Sequence, residues 1–119
     1  GDGGRRAATI TAAIKKYEVS KKSLAATKEK SELKFRTAVQ RFDSAKKTRA
    51  LTNKKINLLV NELQTANAQL STGRSQFSQI LDMEIALYRA EDQQLKNLAE
   101  IYEVRLLLAQ ISDKLIVLN

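Results

Sequence analysis

The sequence predicts an all-α protein, a long antiparallel α-helical coiled-coil hairpin with unequal arms, and three observations predict it. The 119 residues contain no Pro, and Gly occurs only at Gly1, Gly3, Gly4 and Gly73, so one glycine is the sole backbone punctuation after the first four residues. Aromatic residues make up 5% and charged residues 29% of the chain, too little bulk and too much charge for a compact core. Apolar residues recur at steps of three and four over most of the chain, the period of a helix that supercoils against a partner. The expected elements are a helix from about residue 5 to 70, a tip turn at 71–75 and a second helix from about 76 to 118.

The first helix rests on an unbroken walk: Ala7, Ile10, Ile14, Tyr17, Lys21, Leu24, Lys28, Ser31, Phe35, Ala38, Phe42, Ala45, Arg49, Thr52, Ile56, Leu59, Leu63, Ala66 and Leu70. Fourteen of these nineteen positions are apolar. At 1.5 Å per residue, about 65 helical residues make a rod of roughly 100 Å. Ser71, Thr72 and Gly73 then interrupt the pattern, because glycine accepts the left-handed conformation that ends helices. Ser75 is the expected N-cap of the second helix.

That second helix carries two stripes. One runs through Leu81, Ile85, Tyr88, Leu95, Ala99, Tyr102, Leu106, Ala109 and Ile116, the other through Ile80, Leu87, Leu98, Ile101, Leu108 and Leu115. Read as adjacent stripes, they imply burial against more than one neighbour, and a hairpin supplies only one. Folding back about Gly73 also exhausts the second helix opposite residues 26 to 28. About twenty residues of the first helix then lack an internal partner although their seam continues. Self-association or a missing surrounding structure is therefore expected.

Charge and composition bound the chemistry. Up to Gly73 there are 16 Lys and Arg against 6 Asp and Glu, and afterwards 5 against 7, so the halves carry about +10 and −2. The cations wrap several faces of the first helix and no aromatic platform accompanies them, which favours a solvated surface over a nucleic-acid stripe. Without His or Cys, the imidazole and thiolate ligands of ordinary metal sites are missing. No run approaches the roughly 20 apolar residues of a spanning helix, and residues 1–30 lack the apolar stretch of a signal peptide, so the chain reads as a soluble piece. Glu84, Glu91, Asp92, Glu100 and Glu103 read as exposed carboxylates near Arg89, Lys96 and Arg105. No nucleophile and base are paired, so neither catalysis nor a cofactor is expected.

The segment Gly73-Arg74-Ser75-Gln76-Phe77-Ser78-Gln79-Ile80-Leu81-Asp82-Met83-Glu84-Ile85-Ala86-Leu87-Tyr88-Arg89-Ala90 resembles the post-tip pattern of the TolC family of trimeric outer-membrane channels, G-x-x-[ST]-x-x-D-V-L-[DN]-A-x-x-x-L-x-x-A. Gly73, Leu81, Asp82, Leu87 and Ala90 fall in place. Leu98-Ala99-Glu100-Ile101-Tyr102 through Leu106-Leu107-Leu108-Ala109 looks like the family's returning helix. Asp2-Gly3-Gly4-Arg5-Arg6 looks like the junction where its last barrel strand hands over to a long periplasmic helix. The departures are Gln79 where an aspartate is frequent, Met83 where a small residue follows Asp82, Ser75 in place of a Ser or Thr at Gln76, and a longer interval from Ala90 to Tyr102.

The resemblance implies the periplasmic helical hairpin of the second repeat in a homotrimeric efflux or type I secretion channel of a Gram-negative outer membrane, with the barrel outside this chain. A separate, shorter helix, stacked end to end on the returning one, would cover residues 5 to 27. It further implies that Asp82, with Gln79 one turn nearer the tip, contributes to a ring at the channel entrance, where carboxylates attract cations. Leu70, Ser71, Thr72, Gly73, Arg74 and Ser75 would dock a periplasmic adaptor, itself joined to an inner-membrane transporter. Two alternatives stay open on the residues alone. One is a coiled-coil interaction module, such as an adaptor hairpin or a cytoplasmic scaffold; an adaptor hairpin would have arms of similar length. The other is a basic nucleic-acid-binding rod, whose binding would depend steeply on salt.

Overall fold

The computed structural model describes residues 1–119 and contains two α-helices, α1 (Asp2–Leu70) and α2 (Phe77–Leu118). The helices fall within one residue of the expected ends except at the start, where Asp2, Gly3 and Gly4 are already helical rather than a lead-in. Asp2 places a carboxylate in the first turn, where the helix dipole favours it. Three of the threonines inside α1, Thr27, Thr52 and Thr65, donate their hydroxyl to the carbonyl four residues earlier, at 2.9–3.1 Å.

Packing divides the chain into two units, Val39–Leu107 and Gly1–Ala38 with Leu108–Asn119. The first is a helical hairpin. Along α1 its seam buries Ala45, Thr52 and Ala66 and half-buries Phe42, Ile56, Leu59 and Leu63. Along α2 it buries Ile80, Ala90, Asn97, Ile101 and Val104 and half-buries Met83, Leu87 and Gln94. Both sets walk in threes and fours, so two heptad faces meet, and the seventh-residue series Ala45, Thr52, Leu59 and Ala66 on α1 is small at every place but Leu59. Val104 is the one large side chain with no exposure at all.

In the second unit, Ser31 and Ala38 are buried and Lys28 and Phe35 half-buried, with Ile111 buried and Leu108, Leu115 and Leu118 half-buried on α2. Every residue from Gly1 to Thr27 is exposed, Ile10, Ile14, Tyr17 and Leu24 by half or more. The seam expected from Lys28 to Ala66 is thus the packed one, Arg49 alone staying exposed. Its extension from Ala7 to Leu24 has no partner in the chain, as the arm lengths require.

Polar groups interrupt the hairpin seam in one layer. Asn97 donates through Nδ2 to the Thr52 hydroxyl at 2.8 Å, while its carbonyl accepts from Gln93 Nε2 at 2.9 Å. Beside it Gln94 Nε2 donates to Asn53 Oδ1 at 2.8 Å. No buried side-chain polar atom lacks a partner. A satisfied amide layer inside an apolar seam costs little while matched and is lost on slippage, so it fixes which residues of α2 meet which of α1.

Candidate functional site

Two surfaces stand out, the tip and the outer face of α2. At the tip, Gly73 adopts φ +71°, the left-handed region, and a Cβ built there would meet nothing within 4 Å. Its backbone N–H donates to Leu70 O at 3.2 Å, and that of Arg74 to Gln69 O at 3.0 Å. These two bonds form the Schellman closure of α1, which explains why the glycine sits where it does.

The expectation that Ser75 caps α2 is corrected. Its hydroxyl donates back to Ala66 O at 2.6 Å, tying the turn to the end of α1. The cap is Gln76: its carbonyl accepts from the N–H groups of Gln79 and Ile80, and its own N–H donates to the Gln79 side-chain carbonyl at 3.1 Å. That is the reciprocal half of a capping box, and it holds Gln79 against the helix start. Asp82, two turns beyond the tip, is exposed and in no ion pair. Leu70, Ser71, Thr72, Gly73 and Arg74 are exposed and Ser75 is half-buried.

The second surface corrects the reading of two adjacent stripes. Ile80, Leu87, Ile101, Leu108 and Leu115 belong to the packed seam, with Leu98 half-buried at its edge. All nine residues of the other stripe, from Leu81 to Ile116, are exposed. Counting heptad positions, the stripes lie about 150° apart, nearly opposite. From Arg36 to Asn61 the corresponding outer positions of α1 hold Arg36, Gln40, Asp43, Lys47, Ala50, Lys54, Asn57 and Asn61, an ordinary solvated face with one alanine. Only α2 is apolar on both sides.

The carboxylates also divide differently from expectation. Asp92 does pair with Lys96 on its own helix, at 3.0 Å. Glu100 instead reaches across to Arg41: Nε donates to Oε1 at 2.5 Å and Nη2 to Oε2 at 2.9 Å. Glu103 lies 3.9 Å from the same guanidinium. The hydrogen bond from Arg41 holds the Glu100 carboxyl below its ordinary range, against an opposing desolvation, and the same bond holds Arg41 above its own ordinary value. No group of three or more Asp, Glu, His or Cys side chains is placed to hold a metal, and neither helix is long and apolar enough to cross a membrane.

Sequence reasoning missed the Asn97 layer and the Arg41–Glu100 bridge. The first had a readable signal: Asn97 and Gln94 fall on the unbroken walk from Ile80 to Leu118. Comparison with family models, with curated proteins and with solved structures found no match for this chain.

Proposed function

We propose that this chain is a periplasmic tunnel segment of an outer-membrane export channel, for efflux or type I secretion, that docks a periplasmic adaptor at its tip and catalyses nothing. The observation that carries the reading is the pair of uncovered apolar surfaces: the open face of α2, and the α1 seam from Ala7 to Leu24. A helix apolar on opposite sides suits a stave set between two neighbours, and an unpartnered seam suits a further helix continuing the line of α2. The post-tip resemblance supplies the kind of assembly, a homotrimer continued by a barrel and joined through its adaptor to an inner-membrane transporter. In that assembly Asp82 would form a carboxylate ring at the entrance, with Gln79 adding no charge to it. Arg74 at the tip would offer charge-assisted hydrogen bonds to the adaptor.

The test is to replace Thr72 by a photo-crosslinking residue in the gene that encodes this chain, expressed in its own cells, with and without Arg74→Glu. The reading expects the protein in the outer-membrane fraction as a trimer, crosslinked to an adaptor, and Arg74→Glu to reduce both crosslinking and export while the trimer persists. A protein recovered wholly from the cytoplasm would refute it in favour of a scaffold. Undiminished export with Arg74→Glu would remove the docking role.

A further inference from the structure

The open face of α2 has the charge pattern of a surface that pairs with itself. Within the hairpin unit it is lined by Leu81, Ile85, Tyr88, Leu95, Tyr102 and Leu106, exposed by 43–67%. From Leu81 to Leu106 it forms a strip about 38 Å long and one helix, about 10 Å, wide. On the order of 400 Å² per copy is the size of the largest apolar patch on a typical monomer, a patch that is often functional.

The charges flanking the strip identify the occupant. Arg89, Glu91 and Arg105 take part in no ion pair within the chain, and Glu103 has only the long contact to Arg41. In an antiparallel pairing of two heptad faces, flanking residues meet across a two-fold axis. The register that seats Leu95 against Ala99 of a second copy also seats Tyr88 against Leu106. It sets Arg89 beside Glu103 and Glu91 beside Arg105, each twice by symmetry, so four opposite-charge pairs form. Lys96 faces its own copy near the axis, where its Asp92 bridge offsets its charge. The same register sets Asp92 opposite Tyr102 of the second copy, whereas a parallel pairing would stack Asp92 on Asp92 in the middle of the strip.

We propose that this chain forms a two-fold antiparallel homodimer through the outer face of α2, centred between Leu95 and Ala99. At about 800 Å² in total the contact lies below the standard size of specific interfaces, so the dimer is weak and salt-sensitive. This inference does not rest on the tunnel reading; a face closed in this way is a form of the chain apart from any larger assembly.

The experiment is sedimentation equilibrium on the full 119-residue chain at low salt, for wild type, Glu91→Arg, Arg105→Glu and an equimolar mixture of the two variants, with circular dichroism checking that helix content is unchanged. Each variant alone turns two attractive pairs into repulsive ones and is expected to raise the dimer Kd about tenfold. The mixture restores all the attractions and is expected to return to the wild-type Kd. Leu95→Glu, an exposed position that leaves the hairpin seam alone, is expected to abolish the dimer. A wild type monomeric to millimolar concentration, variants that dimerise unchanged, or a mixture no tighter than either variant would each overturn the proposal, the last pointing to another register or partner.

Discussion

Replacing Gly73 by alanine probes the turn with little else disturbed. Gly73 sits at φ +71° and an added Cβ would meet nothing within 4 Å, so steric collision contributes no cost. What remains is the backbone preference of an L-residue, roughly 1–2 kcal/mol against the left-handed region. Alanine also strengthens the competing arrangement in which α1 runs straight through the tip into α2, by about 1 kcal/mol relative to glycine in a helix interior. Relative to such a fused helix, the hairpin therefore loses about 2–3 kcal/mol. Urea unfolding should show a lower midpoint for Gly73→Ala, and size-exclusion chromatography at high concentration should show swapped dimers with extended helices. Gly73→Asn should fall between the two, since asparagine tolerates this conformation better than alanine. Equal midpoints for glycine and alanine, or asparagine no better than alanine, would refute the reasoning.

Three further outcomes are expected. Val104→Ala should cost about 2 kcal/mol, two buried carbons plus the space they leave, whereas Leu106→Ala, equally apolar in sequence but 62% exposed, should change the urea midpoint of the monomer by less than about 0.5 kcal/mol. Asn97→Ala should cost about 1 kcal/mol, while Thr52→Val with Asn97→Leu should be near neutral in stability but permit helix slippage, read as mixed distances between spin labels on the two helices. The Glu100 carboxyl has a depressed folded pKa, so its bridge to Arg41 stabilises fully above the ordinary glutamate value of about 4.3 and is lost as the pH falls through the lower folded value. Wild type should accordingly lose urea resistance more steeply than Glu100→Gln below that pH.

How much of this could be read in advance depends on whether the deciding interaction is local. The seam from Lys28 to Ala66 is periodic in one segment, and Gly73 is the only interior glycine, so helix, turn and unequal arms follow from the residues directly. The Ala7–Leu24 overhang then follows from the two lengths alone. By contrast, Asn97 meets Thr52 across 45 positions and Arg41 meets Glu100 across 59, pairings that no single helix announces. Which α2 stripe packs was nevertheless legible. The buried walk is interrupted by amides at Gln94 and Asn97, the exposed one by carboxylates at Asp92 and Asp113, and a carboxylate costs more to bury than an amide. The cap was legible too, since Gln76 and Gln79 have the spacing of a capping box, though Ser75 is the stronger cap by type.

Because the chain has no cysteine, single cysteines introduced one at a time along α2 report directly on whether one of its faces is covered by α1 and the opposite one left for a neighbour. Maleimide labelling of the dilute chain should be slow at positions 101, 104 and 111 and fast at 88, 95 and 106, and the fast set should become protected when the chain is in its native assembly. Equal labelling of the two sets in the dilute chain, or a fast set that stays open in the assembly, would contradict the account.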